Sequence, residues 1–222
     1  RTMESPLQSP PPDDPLPTAL EWLSIAYALP RGNTNALALA TVDRAGKPSV
    51  RMVLLKELAP QGYAVFYTNY GSRKAGELDA TGRAAGVCYW PELGRQIRLE
   101  GAVLRSPADE SDAYFATRHW RSQLNAWSSE QSRPLAELAL LERRAGKRAE
   151  ELGFDATQGP SAHTRVPRPP HWGGYRLWLD ALELWVEGTS RFHERVRYER
   201  QLTPRDAHGF DVGRWSWQRL QP

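Results

Sequence analysis

Apolar and polar positions along much of the chain follow the short period of β-strands. Five such segments, rich in apolar and β-branched residues, are separated by turn-forming stretches that contain Gly, Pro or Asp. Because short turns join antiparallel neighbours, we predict a hairpin-connected antiparallel sheet here. The predicted strands are residues 35–43, 49–57, 63–70, 83–90 and 95–106, and strand patterning returns at 175–188, 190–201 and 214–221.

Helical spacing of apolar residues occurs between these strands and before them. Residues 17–29 and 107–127 both read as helices. The clearest helix is predicted for residues 134–153, where Pro134 stands near the start and Gly153 follows the end. Its apolar stripe comprises Leu135, Leu138, Leu141, Ala145 and Leu152.

The order of strands, then helices, then strands again indicates an α+β protein that is mainly β. We predict a closed or nearly closed antiparallel barrel on which the helices pack. The length of 222 residues suits one domain, which we assign to residues 18–222. Residues 1–17, rich in Pro and Ser, are predicted to form an N-terminal arm, and residues 154–171 a Pro-rich connector.

Composition narrows the class of protein. Lys and Arg number 29 against 26 Asp and Glu and are spread along the chain, so no nucleic-acid partner is indicated. No apolar run approaches the roughly 20 residues of a membrane span. Cys88 is the one cysteine, so no intrachain disulfide can form and a cytoplasmic location is expected. The five histidines lack HxxxH or HExxH spacing, which leaves metal binding without support.

The segment Gly71–Ser72–Arg73–Lys74 lies where a predicted strand gives way to a predicted helix. It offers a flexible glycine, a hydroxyl suited to capping and two cations at a helix N-terminus, where free N–H groups favour an anion. A phosphate site is one interpretation. A capped helix with solvated charges is the other, and the tetrapeptide alone favours it.

Two cations interrupt the apolar strand predicted for residues 49–57. Arg51 and Lys56 are five residues apart, so in a regular strand they point to opposite faces and need not bind the same anion. A charge within an apolar run is costly unless it is paired. Each is therefore expected to meet either a ligand or an internal carboxylate.

A polar stripe follows in the helix predicted for residues 107–127. Tyr114, Arg118 and Ser122 are spaced at i, i+4 and i+8, so they line one face if the helix is continuous. A phenol, a guanidinium and a hydroxyl on one stripe would suit an anion. A surface Arg beside a packed Tyr is the alternative, and it is favoured if the stripe stands alone.

Basic residues alternate in the strand predicted for residues 190–201. Arg191, His193 and Arg195 would share one face of a regular strand. They would then either surround a substrate group or form a solvated basic edge that resists aggregation.

Seven segments occur in an order that resembles the pyridoxamine 5'-phosphate oxidase family. They are RMVLLK, FYTNYGSRK, GRQIRLEG, YFATR...RSQLNAWSSEQS, WGGYRL, LELWVEGTSRFHER and the terminal RLQP. The resemblance runs from about residue 14 to the C-terminus. The resemblance implies an FMN-binding split-barrel homodimer with FMN bound where the subunits meet. It makes the Gly71–Lys74 segment part of the cradle for the FMN phosphate.

The resemblance also implies a reaction and roles for individual residues. The reaction is oxidation of pyridoxine 5'-phosphate or pyridoxamine 5'-phosphate by O₂ to pyridoxal 5'-phosphate, with release of hydrogen peroxide. Arg191 and His193 would be the catalytic pair that positions the pyridine ring. The substrate phosphate would be held by Lys56, Tyr114, Arg118 and Ser122. The FMN contacts would be Arg51, Met52, Val53, Leu54, Tyr67, Thr68, Arg73, Lys74, Gln96, Gln131, Ser132, Trp185 and Arg195.

Some positions depart from the family's pattern. His119 stands where the family has Pro, Asn125 where it has Gly and Val186 where it has Gln. The Arg and Tyr that form the family's N-terminal lid over the substrate have no match in residues 1–17. Two rival functions are a related flavin oxidase of the phenazine-biosynthesis type, and a non-catalytic carrier or regulator that binds flavin or pyridoxal phosphate.

Overall fold

The structure is a computed structural model that describes residue 7 and residues 9–161 and 163–222. Residues 1–6 and 8 of the predicted N-terminal arm, and Ala162 of the predicted connector, lie outside the described part of the chain. Leu7 is buried and belongs to the main apolar cluster. Among the described residues, no helix has the length and apolar character needed to cross a membrane.

Strands contain more of the described residues than helices do, and the last three helices follow one another in the sequence. The helices are α1 (Leu16–Tyr27), α2 (Arg73–Thr81), α3 (Ala108–Thr117), α4 (Trp120–Ser128) and α5 (Ala139–Glu151). The strands are β1 (Ala36–Val42), β2 (Pro48–Leu54), β3 (Glu57–Leu58), β4 (Tyr63–Asn69), β5 (Arg83–Trp90), β6 (Arg95–Arg105), β7 (Trp172–Val186), β8 (Glu194–Glu199), β9 (Leu202–Asp206), β10 (Gly209–Val212) and β11 (Ser216–Arg219).

A curled antiparallel sheet forms the body of the fold. Its strands follow the order β4, β7, β6, β5, β1, β2. The Lys56 N–H donates to the Val65 carbonyl at 2.8 Å and β3 pairs with β4, so the chain after β2 returns to β4 and nearly closes the barrel. One half of β7 pairs with β4 and the other with β8, which carries β11 beyond the barrel. The predicted α+β architecture is confirmed.

A bulge in β7 helps the sheet to curl, because Asp180 has no paired residue on β6. The pairing register of β6 with β7 shifts between Glu100 and Gly101. A Cβ atom at Gly101 would lie 1.8 Å from the carbonyl oxygen of Trp178. Glycine is therefore required where the two strands approach this closely.

Two apolar clusters hold the layers together. Leu37 and Trp22 belong to the barrel cluster, which joins α1 to the inward residues of the strands. Phe115, Leu124 and Trp172 belong to a second cluster that attaches α3, α4 and α5 to the start of β7. This second cluster places α3 and α4 over the edge of the barrel where β4 and β7 meet.

The helix predicted for residues 107–127 is interrupted. α3 ends at Thr117, and Arg118 and His119 are extended, with ψ of 145° and 137°. The His119 Nδ1 atom then accepts the Arg121 N–H at 3.3 Å and caps α4 as a new helix. The prediction of one continuous helix is therefore wrong, because a side-chain cap competes with the helical backbone at this point.

The helix predicted for residues 134–153 begins later than expected. α5 starts at Ala139, and Leu135 and Leu138 are 42% and 70% exposed. The first part of the predicted apolar stripe thus buries little surface, so packing does not stabilise a helical turn there. The predicted end is confirmed, since Gly153 follows α5 with a φ of +82°.

The hairpin of β9 and β10 was missed by the sequence prediction. Pro204 and Gly209 make residues 202–212 read as a loop. Both residues lie in a separate two-stranded ribbon. Proline has no backbone N–H to donate, and Pro204 is tolerated because β9 pairs with β10 alone among the described strands.

Candidate active site

The Gly71–Lys74 segment forms a tight entry into α2. Ser72 is extended, and its Oγ atom accepts the Ala75 N–H at 3.4 Å. The Gly71 N–H donates to Asn69 Oδ1 at 2.7 Å, which fixes the turn after β4. The two cations consequently stand in the first turn of α2, beside the positive end of its dipole.

Lys74 is nearly buried, and its ammonium meets neutral oxygens. It is 7% exposed and donates to Thr68 Oγ1 at 3.0 Å, Gln131 Oε1 at 2.8 Å and Ser72 Oγ at 3.3 Å. Burial, and then the charge of Arg51, lower the pKa of Lys74 to about 8. A buried cation without a carboxylate among the described residues favours the anion-site interpretation over a merely capped helix.

Arg51 has an internal carboxylate partner, which was one of its two predicted outcomes. Its guanidinium donates to Glu77 Oε2 at 3.1 Å, and Arg73 Nε donates to Glu77 Oε1 at 2.7 Å. Burial by itself would raise the pKa of Glu77, but hydrogen bonds from two hydroxyls and two guanidinium groups lower it to about 2. We call Arg51, Arg73 and Lys74 the cation cradle.

A cavity of about 230 Å³ opens beside the cation cradle. Its wall includes Thr68 and Gln131, the residues that accept hydrogen bonds from Lys74. The cavity therefore adjoins the first predicted anion site. It also reaches the second, because it is lined by Lys56, Tyr114 and Arg118.

Arg118 carries an unsatisfied buried donor. Its Nη1 atom is buried without a hydrogen-bond partner, and its guanidinium lies 4.6 Å from the centroid of the Trp172 ring. Burial lowers the pKa of this guanidinium. Leaving such a donor unpaired costs about 1–3 kcal/mol. An anion in the cavity would satisfy it.

The break between α3 and α4 changes the predicted polar stripe. Tyr114 and Arg118 line the cavity, whereas Ser122 does not, because α4 begins at Trp120 and does not continue the helical phase of α3. Asn125 of α4 lines the cavity instead. The three residues would share one helix face only if the helix were continuous, and this condition is not met. The role of Ser122 stays a prediction.

Lys56 lies beyond the strand in which it was predicted. β2 ends at Leu54, so the argument that placed Arg51 and Lys56 on opposite faces of one strand does not apply. Lys56 is exposed, and its Nζ lies 5.5 Å from the centroid of the Tyr114 ring. Lys56 lines the cavity together with Arg118, a position that agrees with the predicted alternative in which it meets a ligand. That it binds one stays a prediction.

Three aromatic rings that line the cavity stack on one another. Tyr67 stacks on Tyr114 with centroids 4.0 Å apart, and on Trp172 with centroids 5.5 Å apart. The planes are tilted by 14° and 9°. Stacked aromatic rings next to a cavity are compatible with a planar aromatic ligand.

A second group of predicted site residues lies in one row across β6, β7 and β8. Gln96 pairs directly with Trp185, and Trp185 pairs directly with Arg195. Directly opposed residues of antiparallel strands present their side chains on the same face. Arg195 is held there by buried Glu183, with Nε 2.8 Å from Oε1 and Nη2 3.2 Å from Oε2.

The predicted strand that contained Arg191, His193 and Arg195 begins only at Glu194. Arg191 lies in the preceding turn with a φ of +67°, so the prediction that the three residues alternate along one strand is wrong. A β-branched or bulky residue would strain this left-handed position. His193 nevertheless rejoins the row, because its ring lies 4.6 Å from that of Trp185 and its Nδ1 accepts the Gly188 N–H at 3.3 Å.

We call Gln96, Trp185, His193 and Arg195, together with Arg191 of the preceding turn, the β6–β8 face. None of its residues lines the cavity within the described single chain. The structure thus brings together one part of the predicted site and leaves the other part on a separate surface.

Comparison with known proteins places the chain in a family. The sequence profile described as pyridoxamine 5'-phosphate oxidase matches residues 28–150, and the profile of the pyridoxine 5'-phosphate oxidase C-terminal dimerisation region matches residues 172–222. A pyridoxine/pyridoxamine 5'-phosphate oxidase of Cereibacter sphaeroides is 45% identical over 210 residues, which cover 95% of this chain and 96% of that protein. One of Microcystis aeruginosa is 42% identical over 220 residues, covering 99% and 94%.

The chain belongs to the pyridoxamine 5'-phosphate oxidase family. Solved structures agree with this in fold. PhzG of Burkholderia lata, solved in complex with tetrahydrophenazine-1-carboxylic acid, is 32% identical with a TM-score of 0.78, covering 96% of this chain and 95% of that one. A pyridoxamine 5'-phosphate oxidase-related, FMN-binding protein of Nostoc punctiforme is 18% identical with a TM-score of 0.68, covering 94% and 98%.

Other residues implied by the family resemblance take varied positions. Met52 is 62% exposed on the outer side of β2, whereas Val53 belongs to the barrel core and Leu54 lines the cavity. Ser132 follows Gln131 with a φ of +73°. Their roles in binding FMN stay predictions.

Two residues near the site were not recognised as part of it. Glu77 links two cations of the cradle, and its i, i+4 spacing from Arg73 on α2 was a visible signal. Asn125 was noted only as a departure from the family's pattern. Its place in the cavity wall depends on where α4 begins, which the spacing of residues did not reveal.

Proposed function

We propose that this member of the pyridoxamine 5'-phosphate oxidase family is an FMN-dependent oxidase of pyridoxine 5'-phosphate or pyridoxamine 5'-phosphate, with O₂ as acceptor and pyridoxal 5'-phosphate and hydrogen peroxide as products. The observation that carries the proposal is the single cavity that adjoins two sets of cations, one around Lys74 and one around Arg118. Two phosphates, one from a cofactor and one from a substrate, would use both sets. The cytoplasm is the proposed location.

The cation cradle fits the phosphate of FMN. Lys74 is buried against neutral acceptors, and the Arg73 side chain is 53% exposed at the start of α2. Thr68, Gln131 and Ser132 would add polar contacts beside it. The chemistry that bound FMN supplies is acceptance of a hydride from the substrate's C4' carbon and reoxidation by O₂.

The remainder of the cavity fits the phosphorylated substrate. Arg118 and Lys56 would hold its phosphate, and Tyr114 would contribute its phenol. The stacked ring of Tyr67 would limit the space open to a pyridine ring. Fixing the phosphate at this end orients the substrate for reaction at its other end.

The β6–β8 face would come from a second copy of the chain. Residues 172–222, which contain most of this face, match the family's dimerisation region. The outer side of β2 next to the cavity is apolar and open, with Val50 69% and Met52 62% exposed. A homodimer that covers this surface would place the partner's Arg191, His193 and Trp185 over the cavity, with FMN at the interface.

The phenazine-type alternative is less well supported. The ligand in the PhzG structure is a tricyclic carboxylic acid, whereas the cavity of this chain offers both Lys56 and the unpaired Arg118 to a ligand. A doubly charged phosphate makes better use of two cations than one carboxylate does. A non-catalytic carrier would bind the same ligands without reducing the flavin.

The proposal is tested by adding pyridoxine 5'-phosphate anaerobically to the FMN-loaded protein and recording the visible absorbance of the flavin. We expect bleaching that reverses on admission of air, with pyridoxal 5'-phosphate formed. A spectrum that stays unchanged, although FMN is bound, would reject the oxidase. Bleaching by a tricyclic carboxylate but not by the phosphate ester would assign the phenazine-type activity.

A further inference from the structure

We propose that Glu77 is a positioning residue for the cofactor phosphate, which it never touches: its carboxylate holds Arg51 and Arg73 at the separation that the phosphate requires. This inference rests on the proposed FMN site. It adds a residue of α2 that the family resemblance did not assign.

The geometry of the carboxylate supports this role. Each of its oxygens serves one cation, Oε1 accepting from Arg73 at 2.7 Å and Oε2 from Arg51 at 3.1 Å. Arg51 comes from β2 and Arg73 from α2, so the carboxylate links two elements that are distant in sequence. Without a negative charge between them, these guanidinium groups and Lys74 would repel one another.

Glu77 is itself fixed to the barrel. It is 5% exposed, and its Oε2 atom accepts a hydrogen bond from Ser49 at 2.6 Å and another from Thr41. Thr41 and Ser49 are directly paired residues of β1 and β2. The carboxylate therefore has little conformational freedom. It holds the two guanidinium groups at fixed positions relative to the sheet.

Arg73 depends on this anchor more than Arg51 does. The Arg73 side chain is 53% exposed, and it forms an ion pair with Glu77. Arg51 also donates to the Leu39 carbonyl at 3.3 Å and to the hydroxyl of Thr41. Shortening the carboxylate would free Arg73 first, while Arg51 keeps its barrel contacts.

The test compares FMN with riboflavin, which carries the same ring system without the phosphate. Dissociation constants of both are measured by flavin fluorescence for the flavin-free wild type, for Glu77→Asp and for the control Asp79→Asn. Aspartate keeps the charge and withdraws it by one methylene. The control removes a carboxylate from the same helix whose partners, Arg105 and Tyr175, lie outside the cradle.

We expect Glu77→Asp to weaken FMN binding about tenfold, the effect of losing one hydrogen bond between charged groups, and to leave riboflavin binding unchanged. The control should leave the ratio of the two constants unchanged. Equal weakening of both ligands, or an unchanged ratio, would overturn the inference and leave Glu77 a structural residue. A wild type that binds riboflavin as tightly as FMN would instead reject the proposed phosphate site, and this inference with it.

Ser49→Ala gives a second reading should Glu77→Asp fold poorly. It removes one of the hydroxyls that fix the carboxylate and leaves the carboxylate in place. We expect a smaller loss of the preference for FMN over riboflavin, about threefold. An unchanged preference in a folded Ser49→Ala protein would contradict the fixed geometry.

Discussion

The cavity and the β6–β8 face both carry arginines, but the charges are balanced differently. Arg118, which lines the cavity, has a buried nitrogen without a partner, and Lys74 beside the cavity donates to neutral oxygens. On the β6–β8 face, Arg195 makes two hydrogen bonds to Glu183, which is 1% exposed. The difference indicates that the cavity can receive anions, whereas the charge of Arg195 is balanced by a carboxylate of the same chain.

The largest expected effect comes from replacing Arg118, whose buried Nη1 atom has no hydrogen-bond partner. Arg118→Ala should raise the KM for pyridoxine 5'-phosphate about ten- to a hundredfold, because it removes a charge-assisted hydrogen bond to the substrate phosphate. The affinity for FMN should not change. Steady-state kinetics and an FMN titration measure the two quantities.

Arg121→Ala is the matched control for that change. Arg121 is an exposed residue of the neighbouring helix whose guanidinium packs on Trp120, 5.0 Å from the ring centroid. It should leave KM within about twofold of the wild type. A KM for the Arg118 variant that matches this control would remove Arg118 from the substrate site.

An increase in pH is expected to have an effect of intermediate size on FMN affinity. This effect should depend on the phosphate of FMN, which riboflavin lacks. The pKa of Lys74 is lowered to about 8, so its ammonium loses its proton in the flavin-free protein as the pH rises through that value. FMN affinity should then fall by up to about tenfold per pH unit above about 8, until the phosphate-bound lysine also titrates. Riboflavin affinity should stay flat over this range.

Lys74→Arg sharpens the pH experiment. A guanidinium stays protonated throughout, so this variant should lose the pH dependence between about 8 and 10 whatever its absolute affinity for FMN. A decline that persists unchanged in the variant would assign the titration to another group.

The smallest expected effect on the substrate KM distinguishes Asn125, which lines the cavity, from Ser122 of the predicted polar stripe. Asn125→Ala should raise the substrate KM about threefold to tenfold, since an amide lining the cavity can donate one neutral hydrogen bond. Ser122→Ala should change it less than about twofold, because Ser122 does not line the cavity. The reverse order in steady-state kinetics would restore Ser122 to the site and exclude Asn125.

Much of the fold could be predicted because strands and turns leave local signals. The apolar runs and the Gly, Pro and Asp turns between them located the barrel strands, and Ser72 marked the start of α2. The break at Arg118–His119 could not be predicted from spacing. It arises from a cap made by the His119 side chain, which apolar periodicity does not report.

The site was predictable by residue type but not by arrangement. Lys56, Tyr114 and Arg118 do line one cavity, although β2 ends before Lys56 and α3 ends before Arg118. The pairing of Arg195 with Glu183 joins neighbouring strands, and such pairs depend on register. Register is set by the whole sheet, so alternation within one segment could not reveal it.

The central claim is that the cavity of one subunit is completed by the β6–β8 face of its partner. Two inactive variants, Lys56→Ala/Arg118→Ala and Arg191→Ala/His193→Ala, should be co-expressed and the oxidase activity of the mixed dimers measured. Random pairing makes half of the dimers mixed, each with one intact site of two, so activity should recover to about a quarter of the wild-type value. Activity no higher than that of the two variants assayed separately would show that both halves of the site come from the same chain.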